Sequence, residues 1–177
     1  LRNLSLINSI LVSSEVWYPI DDNQLRSLEQ IDEDLLIQIL DLSSSTPREI
    51  LYLELGIIPV SNIVKCRRIM YLHHILTIGK EKLLYRFFQA QHRSPSKGDW
   101  SITVQKDLED FGIELSFDTI EKMKTEQFRK IVKKACKKFT LEKLLEKQLK
   151  LKKGKELKYR ELKTKEYLLS NKFTVQQ

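Results

Sequence analysis

The chain has 177 residues, 41% of them hydrophobic and 31% charged, with 31 Lys/Arg against 24 Asp/Glu and a formal net charge of +7. That length suffices for one good apolar core, or a core plus an appendage, and the charge fits a long charged helical part. A membrane helix is excluded because no stretch approaches ~18 uninterrupted apolar residues, and five Gly with four Pro argue against a turn-rich β architecture.

Leu4, Ile7, Ile10, Leu11 and Val12 recur at helical spacing and predict a first helix, broken near Tyr18-Pro19. The apolar run from Leu6 to Val12 is too short and wrongly flanked for a signal peptide. Asp21 and Asp22 can cap the next helix, placing acids at its positive end. On it Leu25, Leu28, Leu35, Leu36, Ile39 and Leu42 share one face, with Glu29, Glu33 and Gln38 elsewhere. After the Ser43-Ser44-Ser45 linker, Thr46-Pro47 with Glu49 marks a helix start with proline at the first helical position, and Gly56 marks its end.

Pro59 opens a helix to about Ile78-Gly79 that is apolar almost all round, as expected of a central, buried helix. At 100° per residue, Arg67, Tyr71 and His74 fall within roughly 60° of one another on it. A helix from about Glu81 to Gln91 should turn Leu84, Phe87 and Phe88 inward. Ser94 to Gly98 is a turn, a short helix follows from about Ser101 to Phe111 with Gly112 closing it, and Ser116 or Asp118 can cap the next.

From Thr125 the pattern becomes long and lysine-rich. Phe128, Ile131, Val132, Ala135 and Phe139 make one stripe, with Lys130, Lys133, Lys134, Lys137 and Lys138 outside it. Leu141, Leu144, Leu145 and Leu149 continue an apolar line beyond Thr140, where a kink is expected. Gly154 suggests a hinge, and residues 156–169 suggest one more amphipathic helix. The expected fold is all-α: a compact multi-helix core followed by a long basic helical C-terminal segment. Residues 1–119 hold 12 Lys/Arg and 17 Asp/Glu, whereas residues 120–177 hold 19 and 7, so net charges of −5 and +12 oppose each other along the chain. Such a basic tail either meets a polyanion, most plausibly nucleic acid, or is a solvated helix whose charge keeps it soluble.

No catalytic constellation emerges. The acids Asp21-Asp22 and Asp32-Glu33-Asp34 sit at helix starts or on an exposed face, where capping and solvation account for them. His73 and His74 point ~100° apart and cannot chelate one ion together. Beside Arg67 and Tyr71, His74 can bond a phosphate or a buried carboxylate such as Glu54. Cys66 and Cys136 lack partner spacing and read as reduced thiols of an intracellular protein, cytoplasmic or nuclear, without a disulfide or metal role. No cofactor is implied. Lys97-Gly98 can touch a phosphate, while Trp100 reads as a core anchor.

Three segments carry a resemblance: LYLELGIIP from Leu51 to Pro59, RRIMYLHHIL from Arg67 to Leu76, and PSKGDW from Pro95 to Trp100. Together with SSEVW and the leucine-rich helix that follows it, they resemble the thumb and the region just downstream of the polymerase core in non-LTR (LINE-like) retrotransposon reverse transcriptases. The resemblance implies thumb-like helices over residues 1–45, a helical core module over 46–115 and a basic helical tail over 116–177. It implies a chain that is not an enzyme on its own, since the paired aspartates of the polymerase would lie in an upstream domain; a first residue of Leu rather than Met fits a fragment. The partner would be RNA or DNA, an RNA/DNA hybrid above all, held through phosphates by Arg67, Arg68, His74, Lys97, Lys130, Lys133, Lys134, Lys137 and Lys138. The rival is a helical protein-interaction module that binds through a seam of Leu141, Leu144, Leu145, Leu149 and Leu151.

Overall fold

The computed structural model describes residues 7–17 and 22–150, and every regular element among them is helical. A short α1 (Ile7–Ile10) runs into a 3-10 turn (Ser14–Val16), followed by α2 (Asp22–Ile39), α3 (Arg48–Leu55) and α4 (Val60–Thr77). Then come α5 (Leu83–Arg93), α6 (Trp100–Asp110), α7 (Phe117–Lys122) and α8 (Thr125–Lys150). The expected break at Tyr18-Pro19, the Asp21 cap, the Gly154 hinge and the helix over 156–169 lie outside the described residues.

The chain punctuates these helices with backbone geometry. Pro47 has extended backbone, and its carbonyl accepts the N–H groups of Ile50 and Leu51 at 3.1 and 3.2 Å. Proline therefore occupies the cap rather than the first helical position, and its missing N–H is still one that the helix has no use for. At the other end of α3, Gly56 takes a left-handed φ of 61°. Its N–H reaches Leu53 O and the Ile57 N–H reaches Tyr52 O, which satisfies two carbonyls that the helix would otherwise leave open.

Helix α4 is the centre. Ile69, Leu72, Ile75 and Leu76 form one core with Phe88 of α5, Trp100, Val104 and Leu108 of α6, Ile120 of α7, and Phe128, Val132 and Cys136 of α8. That core joins the two sides of the 115/116 boundary, so the first half of α8 packs as part of the body. Toward the N-terminus, Val60 and Val64 pack on Leu11 and Leu25. Farther along α8, Leu144 packs on Tyr52 and Leu53 of α3 with Leu141 beside them. Much of the leucine seam is thus used internally; the Leu149 side chain and Leu151 lie outside the described residues.

Three expectations are corrected. On α2, Leu25 and Leu36 are buried while Ile39, and Leu42 just beyond it, are exposed; Asp32, expected at a helix start or on an exposed face, is instead buried at 2% exposure and accepts the Tyr52 hydroxyl at 3.4 Å. On α5, Phe88 is inside but Phe87 is 60% exposed. One residue's turn of ~100° carries its ring off the face shared by Leu84 and Phe88. Finally, Thr140 causes no break: α8 runs on as one helix of 26 residues, about 39 Å at 1.5 Å per residue. The Thr140 hydroxyl is buried because it accepts the Asn62 amide of α4 at 2.8 Å.

Candidate nucleic-acid interface

The adjacent arginines of α4 part company. Arg68 is 2% exposed and forks onto Asp107 of α6, with Nε to Oδ2 at 2.7 Å and Nη2 to Oδ1 at 3.0 Å. Burial lifts the Asp107 carboxyl above the ordinary aspartate range, against the lowering pull of the Arg68 hydrogen bonds and charge and of Lys65. Lys65 in turn pairs with Asp110 and lies over the Phe139 ring, 5.7 Å from its centroid. Arg68 is therefore a structural cation, enclosed away from any phosphate.

Sequence reasoning missed this pair, although a signal was present. Asp107 stands with Trp100, Val104 and Leu108 at helical spacing, and Arg68 stands between Val64 and Leu72. A charge on an apolar stripe is buried and must find its opposite. Asp32, spaced with Leu25 and Leu36, carries the same signal.

Arg67 faces another way. It donates through Nη1 to the Leu11 carbonyl and, at 3.4 Å, to the Ser14 hydroxyl, tying α4 to the N-terminal segment. The shared face of Arg67, Tyr71 and His74 holds: Tyr71 and His74 stack with ring centroids 5.8 Å apart. All three line a cleft of about 750 Å³ whose opposite side is built from Thr125, Arg129, Val132 and Lys133 of α8. His74 is exposed there, and so is Glu54 on α3, which leaves Glu54 no role as a buried carboxylate. His73 has turned inward, with Nε2 bonded to the Met123 carbonyl at 3.0 Å and its ring stacked on Phe128.

The cleft's inner edge holds both cysteines, which the fold brings together from positions 66 and 136. Cys136 Sγ donates to the Asn62 carbonyl at 3.9 Å; the neighbouring Cys136 thiol and burial push Cys66 well above the ordinary thiol range, while Cys66 beside it lowers Cys136. Spacing along the chain gave no hint of this meeting.

On α8, Phe128, Val132, Cys136, Thr140 and Leu144 face the body. Lys130, Lys134 and Lys138 are exposed, while Lys133 and Lys137 are half-buried beside them. At 100° per residue, these five lysines occupy an arc of roughly 140°. Lys138 approaches Glu142 at 3.9 Å, a loose and exposed pair, whereas Lys130, Lys133 and Lys134 make no ion pair among the described residues. The helix as a whole sets nine Lys/Arg against three Glu.

Lys97 stands apart, in an exposed turn. Asp99 shapes that turn by accepting the Ser96 N–H at 2.7 Å. Trp100 is the expected anchor: its ring is buried and its Nε1–H donates to the Glu15 carbonyl at 3.0 Å. Among the described residues, no group of three or more His, Cys, Asp or Glu gathers as a metal would need, and no helix is long and apolar enough to cross a membrane. No family model, curated protein or solved structure matches the chain.

Proposed function

We propose that this chain positions nucleic acid, an RNA/DNA hybrid above all, by gripping its phosphates with the lysine arc of α8. The observation that carries this reading is the arc itself: cations displayed on a helix whose other face is locked into the core, with Lys130, Lys133 and Lys134 making no ion pair among the described residues. A cation already matched by a carboxylate gains little from a phosphate, whereas unmatched lysines release the counterions condensed on the polyanion. Lysine is a point charge with little power to read bases, so binding of this kind is salt-sensitive and weakly sequence-specific. The resemblance to retrotransposon thumb and post-polymerase segments supports the same reading, with the bond-making carboxylates belonging to a separate polymerase domain. The leucine seam that would serve the rival protein-interaction reading is weakened, since Leu141 and Leu144 are already packed on α3.

The test is a salt series of hybrid binding by fluorescence anisotropy, comparing the chain with its K130Q/K133Q/K134Q variant. The slope of log affinity against log salt should become shallower by about three, one unit for each lysine removed. An unchanged slope in the folded variant would contradict the proposal.

A further inference from the structure

The cleft between α4 and the first half of α8 has more in it than a phosphate contact needs. Its volume of about 750 Å³ lies within the ~300–1,000 Å³ typical of pockets for small ligands. The lining includes Ile63, Met70 and Val132, all apolar. On one side the Tyr71 and His74 rings stack with their planes 28° apart. Cations flank both sides, Arg67 on α4, tied through Nη1 to the Leu11 carbonyl, and on α8 Arg129, paired with Glu126 at 2.7 Å, beside Lys133, with Glu15 the single carboxylate among the described lining residues.

Aromatic rings, apolar floor and cationic rim together suit one ligand chemistry, a base joined to a phosphate. Stacking on the rings holds the base, the floor replaces water, and Lys133, which makes no ion pair among the described residues, takes the phosphate. A paired base is already stacked within its duplex and cannot offer its faces to protein rings. We propose that this cleft holds one unpaired nucleotide from a single-stranded extension, next to the duplex held by the α8 arc, an inference that rests on the nucleic-acid reading above. A long-chain carboxylic acid would match the floor and the rim but would leave the stacked rings unused.

The test uses the full chain and two RNA/DNA hybrids of equal duplex length. One is blunt, and the other carries a two-nucleotide 3′ extension containing 2-aminopurine. Base stacking on protein rings should make the extended hybrid bind about tenfold tighter. It should also quench the 2-aminopurine fluorescence and slow alkylation of Cys66 by N-ethylmaleimide, which the blunt hybrid should not. The exposed His74 permits a His74→Ala variant, and this should remove the preference for the extension. Equal affinities, an unquenched probe and an unprotected Cys66, with salt-sensitive duplex binding intact, would overturn the nucleotide site alone. Failure of either hybrid to bind at low salt would overturn the parent reading as well. Protection of Cys66 by oleate and not by the extended hybrid would give the cleft to apolar acids, and the inference would fall.

Discussion

The two flanks of α4 are built from similar residues and do opposite work. Toward α6, Arg68 and Asp107 close on each other inside the core. Toward the first turns of α8, Arg67, Tyr71 and His74 border an open cleft with Arg129 and Lys133 opposite. Arg67 and Arg68 are neighbours in sequence, so side-chain type does not decide which way a cation faces. What sets Arg68 apart is a carboxylate 39 residues away that closes on it inside the core, whereas Arg67 reaches the N-terminal segment at the edge of the cleft.

The largest effect should come from opening the sealed flank. Asp107→Ala strands a buried guanidinium, and the expected loss is about 3–5 kcal/mol, read as a fall in midpoint by chemical denaturation. The paired replacement Arg68→Met with Asp107→Leu should cost clearly less than the single one, since no charge is then left unpaired. A single variant that loses under about 1 kcal/mol would mean that the flank is not sealed.

A smaller effect is expected where α8 is fastened to α4. Thr140→Val keeps the shape but takes away the acceptor of the Asn62 amide. Leaving that donor buried and unmet should cost about 1–3 kcal/mol by the same measurement. If the loss is negligible, water has replaced the hydroxyl and the clasp is not a stability element.

The smallest effect concerns Glu33, whose carboxyl is raised by burial and by nearby Glu29, with Arg48 pulling the other way. A raised pKa means that the folded state holds the proton more tightly than the unfolded chain does. Stability from this group is therefore greatest below the ordinary glutamate range and falls as pH rises through the folded value. Glu33→Gln should be more stable than the parent at neutral pH, with the gain vanishing below about pH 4. Melting curves across that range check it, and a gain that grew on acidification would contradict the assignment.

Periodicity and punctuation made the frame visible in advance. Pro47 and Gly56 bracket α3, and α4 is apolar almost all round. Trp100 is an anchor, and the Phe128 stripe sets which way α8 faces. Periodicity defines a face, however, and says nothing about whether anything covers it, which is why Ile39 and Leu42 share a face with the buried Leu25 and Leu36 and are exposed, and why Phe87, expected inside, is not. Pairings across long stretches of chain were equally hidden: Arg68 with Asp107, Asn62 with Thr140, and the two thiols. For the candidate interface, the lysines were readable because they lie together outside the apolar stripe of α8. The cleft was not, because its two sides come from helices that only the tertiary packing sets opposite each other.

The proposed seat of nucleic acid on the exposed arc of α8 is open to a direct test. Deleting that helix would not test it, because Phe128, Val132 and Cys136 would leave the core as well. Lysine acetylation read residue by residue by mass spectrometry, with and without a bound RNA/DNA hybrid, tests it on the intact fold. Protection should concentrate on Lys130, Lys134 and Lys138, while Lys106 on α6 and Lys80 beyond α4 stay as reactive as in the free protein. Equal protection of all exposed lysines, or protection confined to those outside α8, would contradict the account.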